Sequence, residues 1–166
     1  IDNYIKKDLA AVGISFDSWY KESQLYETGL LDKVFMDIEN KNLSYSKDGA
    51  LWFKNTLFGD DQDRVLIKKN GDMTYFATDI AYHVHKFKHH DVLIDIWGAD
   101  HHDYAKRLTT ALKALDYDVD NRLQIHLVQF ANLYKSGKSM SMSTRSGEFY
   151  PIQELVADIG RDATKF

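Results

Sequence analysis

The sequence predicts an α/β fold organised on a parallel sheet, and three observations carry that prediction. Residues 92–97 are an apolar run interrupted only by Asp95, and residues 123–130 are a second largely apolar segment, around Gln124, His126 and Gln129, as strands buried on both faces read. Segments with helical spacing of apolar residues, at 78–87, 103–115 and 151–159, alternate with those runs. The chain has 166 residues, 44% hydrophobic and 28% charged, enough for one core of ordinary size.

The elements follow in order. Residues 2–12 place Ile5, Leu9 and Val12 at helical spacing, and Gly13 stops the run. Phe16, Trp19 and Tyr20 predict a short strand. Residues 24–40 read as one helix, with Leu30, Leu31, Val34, Phe35 and Ile38 along one side. Residues 43–54 read as a hairpin turning at Lys47-Asp48-Gly49. Residues 64–68 and 73–75 read as a second, across Asn70-Gly71. The alternating part then begins: the helix at 78–87, the strand at 92–97 ending in Gly98-Ala99-Asp100, and the helix at 103–115. The strand at 123–130 and a helix opening on Pro151, the chain's one proline, complete it. Ligands of parallel sheets sit at the carboxyl ends of strands. A site is therefore expected around Gly98 and around the loop after Phe130.

Composition excludes several classes. Net charge is −4, which argues against a protein that coats nucleic acid. With no Cys there is no disulfide framework, thiolate metal site or Cys nucleophile. No run approaches the ~18 apolar residues of a membrane-spanning helix, and no signal-peptide pattern opens the sequence. The first residue is not Met, and a piece of a longer chain is the expectation.

Several constellations could carry chemistry. Between residues 121 and 147 there is no carboxylate, while Arg122, Lys135, Lys138 and Arg145 stand among six Ser/Thr hydroxyls and Gly137 and Gly147. Such a stretch suits a phosphate, through backbone N–H groups and basic side chains, or is a polar surface loop. Gly98-Ala99-Asp100-His101-His102-Asp103 admits a ribose contact at a strand end or a metal-dependent phosphoesterase that uses Asp-His-His. Adjacent histidines on a helix diverge by ~100°, which opposes a shared ion. His83, His85, His89 and His90 read as a partly buried helix end without assigned function. Tyr75 and Asp79 are four apart and share a face. A pocket there would select a cation, best a guanidinium with its paired donors. The bland reading is an acid near a helix start.

The ordered segments Asp48-Gly49-Ala50-Leu51-Trp52-Phe53, Phe58-Gly59-Asp60-Asp61-Gln62-Asp63-Arg64-Val65-Leu66, Thr74-Tyr75-Phe76-Ala77-Thr78-Asp79-Ile80-Ala81-Tyr82-His83, Trp97-Gly98-Ala99-Asp100-His101-His102 and Met142-Ser143-Thr144-Arg145-Ser146-Gly147-Glu148-Phe149 together resemble bacterial arginyl-tRNA synthetase, a class I aminoacyl-tRNA synthetase, nearly end to end. The resemblance implies the second half of a Rossmann-type parallel sheet (71–166), with a smaller α+β insertion segment (1–70). It implies ATP-dependent activation of L-arginine and transfer to tRNA(Arg), by a cytoplasmic monomer with no membrane association. Magnesium would accompany ATP, with no tightly bound metal. A non-catalytic module derived from a synthetase is the other reading.

Carried over by position, Tyr75, Asp79 and His101 belong to the arginine pocket, His101 near the amino acid or the α-phosphate. Gly98 and Asp100 match the ribose-contacting turn, and Val128, Gln129 and Phe130 lie beside adenine. Met142, Ser143, Thr144 and Arg145, with Lys138, match the signature loop at the pyrophosphate. The sequence departs from the family pattern in places. No His precedes His83, so the early His-containing ATP motif is absent. Ser141 and Thr144 stand where the loop has lysines, and Asp103 stands where Gly is usual. The anticodon-binding domain would follow Phe166. A catalytic-domain fragment, inactive by itself, is the expectation.

Overall fold

The computed structural model describes residues 4–129, 131–135, 137–139 and 150–165. It divides into two units, Tyr20–Phe130 and the pair of segments Ile1–Trp19 with Ala131–Phe166.

In the larger unit, helices α2 (Ser23–Glu27) and α3 (Leu30–Asn40) stand where the periodicity predicts one helix. The break is at Gly29, whose φ of 65° is left-handed and ends α2 while opening α3. The sheet β1 (Ser44–Lys47), β2 (Ala50–Phe53), β3 (Arg64–Ile67) is antiparallel, in that order. Its first turn is the predicted one: Asp48 and Gly49 have φ of 54° and 78°, as a two-residue turn of right-twisting strands requires. The second predicted hairpin reduces to a single bridge, Ile67 to Met73. Thr74 is taken instead as the N-cap of helix α4 (Tyr75–His89). Its hydroxyl accepts from the Ala77 N–H at 3.3 Å and donates to the Val65 carbonyl at 2.8 Å, fastening the helix start to β3.

Strand β4 (Leu93–Gly98) follows, then a 3₁₀ turn (Ala99–His101), α5 (His102–Ala114), α6 (Val119–Arg122) and β5 (Leu123–Val128). β4 and β5 are parallel, with Leu93 opposite Leu123 and Gly98 opposite Val128. The mixed α/β class with a parallel sheet and a separate antiparallel one is thus as expected. Burial on both faces is not: Leu93 and Asp95 are covered, while Ile94 and Ile96 on the other face are exposed. Helices α3 and α5 end in matching caps, with Asn42 and Asp116 in the left-handed region and 6→1 bonds from Leu43 to Ile38 and from Tyr117 to Leu112. The core joins Leu31, Val34 and Ile38 of α3, Phe53 of β2, Leu66 of β3, Ile80 and Val84 of α4, and Leu108 and Leu112 of α5.

The smaller unit holds α1 (Ile5–Ala11), the short paired strands β6 (Tyr134–Lys135) and β7 (Lys138–Ser139), α7 (Ile152–Ile159) and α8 (Arg161–Lys165). Gly13 (φ 71°) closes α1, and the Arg161 guanidinium occupies the space a Cβ would need there. Residues 16–20 form no strand. Phe16 packs edge-on to Trp19 at 5.3 Å and Lys6 lies over the Trp19 ring, so the aromatics cluster beside α1 instead of pairing.

Candidate active site

Tyr75, Asp79, Tyr82, His83 and Lys86 recur at helical intervals and share one face of α4. That face, with Trp97 and Gly98 at the end of β4, His101 of the turn and Tyr104 of α5, lines a cleft of about 550 Å³. The two α4 residues singled out from spacing, Tyr75 and Asp79, therefore meet Gly98 and His101 in one place.

The Asp79 carboxylate is half-buried and accepts a hydrogen bond from the Tyr104 hydroxyl on one oxygen, Oδ2. Among the described residues no hydrogen bond reaches Oδ1. Burial pushes the Asp79 carboxyl above its ordinary range, with Glu22 adding to this, against the Tyr104 bond and the nearby His83 and Lys86. Burial and then Asp79 push the Tyr104 hydroxyl far upward, so it stays a donor. The walls are aromatic: Trp97 lies 5.8 Å from Tyr104 and 6.4 Å from His101, centroid to centroid, and Tyr82 is backed by Tyr20 at 4.7 Å. Tyr75 is largely exposed at the mouth. A carboxylate with one open oxygen between flat aromatic faces suits a planar cation.

Beneath the cleft runs a polar network that spacing did not reveal. His83 is buried; its Nδ1 contacts the Asp79 carbonyl at 2.7 Å and its Nε2 contacts Asp95 Oδ2 at 2.6 Å. Both partners are oxygens, the Asp79 carbonyl and the Asp95 carboxylate. The Lys86 ammonium takes the other Asp95 oxygen at 2.5 Å and lies 5.0 Å from the Tyr82 ring centroid. Burial raises the Asp95 carboxyl, but the bonds from His83 and Lys86 outweigh it and hold it below the ordinary range. The available signal was Asp95 itself: strand alternation puts it on the covered side with Leu93 and Trp97, where an unpaired acid is not tolerated.

The remaining residues are placed as follows. Asp100 is exposed on the turn and faces His101 at 3.8 Å. Gly98 has φ −64°, which any residue can adopt, so its backbone conformation does not call for glycine. Val128 pairs beside Gly98, and Gln129 follows; both are exposed. Phe130, Met142, Ser143, Thr144 and Arg145 lie outside the described residues, as does the Lys138 side chain. Arg122 is occupied: it donates to the carbonyls of Phe87, His90 and Asp91, capping α4. It does not add to an anion site.

Residues 1–165 match the family described as tRNA synthetases class I (R), catalytic domain. The chain belongs to that family. It is 48% identical to the arginine–tRNA ligase of Syntrophotalea carbinolica, over 98% of this chain and 29% of the relative. The ligase of Nitrosomonas eutropha is 46% identical, over 99% and 28%. A crystal structure described as an arginyl-tRNA synthetase from Campylobacter jejuni matches at TM-score 0.86 and 34% identity, covering 98% of this chain and 35% of that one. Thermus thermophilus arginyl-tRNA synthetase shares the fold at TM-score 0.75 and 18% identity. The chain thus spans under a third of the length of these curated relatives, 29% and 28%. Family membership sets aside the phosphoesterase reading of Asp100-His101-His102. Among the described residues no three His, Asp or Glu side chains gather to hold a metal ion.

Proposed function

We propose that the protein carrying this chain is an arginine–tRNA ligase and that the cleft holds the arginine guanidinium against Asp79. The observation that supports this most is a half-buried carboxylate with one oxygen bonded to Tyr104, facing an aromatic-walled cleft at the end of a parallel strand. In the proposed reaction an arginine carboxylate oxygen attacks the α-phosphorus of ATP, forming arginyl-adenylate and expelling pyrophosphate. The arginyl group then passes to a hydroxyl of the terminal adenosine of tRNA(Arg), releasing AMP. The chain supplies position and charge rather than a covalent nucleophile.

Gly98 and Asp100 would meet the ribose, and Val128, Gln129 and Phe130 the adenine. His101 would stand near the arginine carboxylate or α-phosphate. Lys138 and Met142 to Arg145 would stabilise the pyrophosphate. Magnesium would arrive with the ATP phosphates. Residues 1–70 would be the insertion segment and 71–166 the second half of the catalytic sheet. Among the described residues no helix is long and apolar enough to cross a membrane; a cytoplasmic monomer is our reading.

The test is arginine-dependent ATP–pyrophosphate exchange, run on this chain and on the complete gene product. Exchange is expected from the complete product and none from the chain, which has no His before His83 to serve an early ATP-binding motif. Exchange by the chain alone would overturn that division. Its absence from the complete product would overturn the ligase reading and favour a synthetase-derived binding module.

A further inference from the structure

We propose that Asp95 is a positioning residue that parks Lys86, keeping the Asp79 carboxylate open to an incoming cation. The inference rests on reading Asp79 as the guanidinium partner. Asp79, His83 and Lys86 stand at i, i+4 and i+7 on α4, so they share a face, and Lys86 is about 10.5 Å along the axis from Asp79. Helical side chains lean toward the N-terminus, so the four-carbon stem of Lys86 carries its ammonium up the face that holds Asp79, and both side chains line the same cleft. Left to itself, that ammonium would fill the place of the guanidinium with a charge from the protein's own chain.

The structure shows where the charge goes instead. Asp95 reaches in from β4, and each of its oxygens takes one basic group, Lys86 at 2.5 Å and His83 at 2.6 Å. Lys86 lines the same cleft as Asp79 while its ammonium is bonded to Asp95. Asp95 is buried and cannot itself meet a ligand in the cleft, which it does not line. Its effect on arginine would be exerted through Lys86.

The test uses Asp95→Asn, which keeps the shape and an acceptor for His83 but removes the charge that holds Lys86. In the complete gene product the arginine KM should rise at least about tenfold, with the ATP KM unchanged. Adding Lys86→Met to that variant removes the intruding ammonium and should return the arginine KM to about the parent value. A purely structural Asp95 predicts no rescue, and a double variant as weak as the single one would overturn the proposal. Should Asp95→Asn not fold, the double variant carries the test alone, since it must bind arginine as the parent does. Asp79→Ala separates the two readings: without effect on arginine, the pocket assignment fails; with a selective effect but no rescue, the parking role fails.

Discussion

Removing one oxygen tests the cleft on the isolated chain. Tyr104→Phe deletes the hydroxyl that donates to Asp79 and leaves the ring against Trp97 and Arg107. A hydrogen bond to a charged group contributes about 1.5–3 kcal/mol. Asp79 is half-buried beside an open cleft and can recruit water, so the lower end, about 1.5 kcal/mol, is expected. That corresponds to a fall in Tm of roughly 3–6 °C for a domain of this size. The pH dependence is diagnostic. Burial raises the Asp79 carboxyl, and the Tyr104 bond opposes that rise, so the variant's carboxyl should lie higher still. A raised carboxyl destabilises the fold above its folded pKa and ceases to do so as pH falls through it. The deficit of the variant should therefore be largest at neutral pH and shrink toward about pH 4. Thermal melts across that range read it directly; a deficit that is constant with pH, or no deficit, refutes the reasoning.

Other outcomes follow from the same structure. Thr74→Ala should cost about 1 kcal/mol in denaturant melts, since it removes the α4 cap and the bond to Val65. Gly29→Ala should cost roughly 1–2 kcal/mol for its left-handed backbone alone, because nothing lies within 4 Å of the added Cβ. Asp60→Ala should cost about 1.5–3 kcal/mol, because it strips Arg64 of its bidentate partner and leaves it only the exposed Asp61. The Arg64 bond holds the Asp60 carboxyl well below its ordinary range, and His83 and Lys86 do the same for Asp95 against burial. The stability these two supply is present above about pH 4 and is lost as pH falls below it, opposite in sign to Asp79.

Much of the fold could be read from pattern where one signal dominated. Asp48-Gly49 marked a turn because both positions need positive φ, and the runs at 92–97 and 123–130 marked parallel strands. Pattern failed where local signals competed. The periodicity of 24–40 carries through Gly29, although the backbone breaks there. Asn70-Gly71 promised a hairpin, but the Thr74 hydroxyl won the next residues for α4. Phe16, Trp19 and Tyr20 mimicked a strand, whereas Phe16 and Trp19 pack beside α1 and Tyr20 stacks on Tyr82 of α4. At the site, spacing brought out Tyr75 and Asp79 because they lie on one element. Tyr104 and Trp97 reach the same cleft from α5 and β4, Asp95 of β4 meets Lys86 and His83 beneath it, and no periodicity links them to α4. The apolar run at 92–97 reads as two-sided burial, whereas Ile94 and Ile96 lie exposed in a chain that spans 29% of a relative.

The central claim is that Asp79 selects the cationic side chain of the substrate, and the complete gene product carrying Asp79→Ala tests it most directly. A guanidinium left in the aromatic cleft without its carboxylate loses about 3–5 kcal/mol, so the arginine KM in ATP–pyrophosphate exchange should rise more than about a hundredfold. The ATP KM should stay within about twofold. Equal losses for arginine and ATP, or an unchanged arginine KM, would contradict the account.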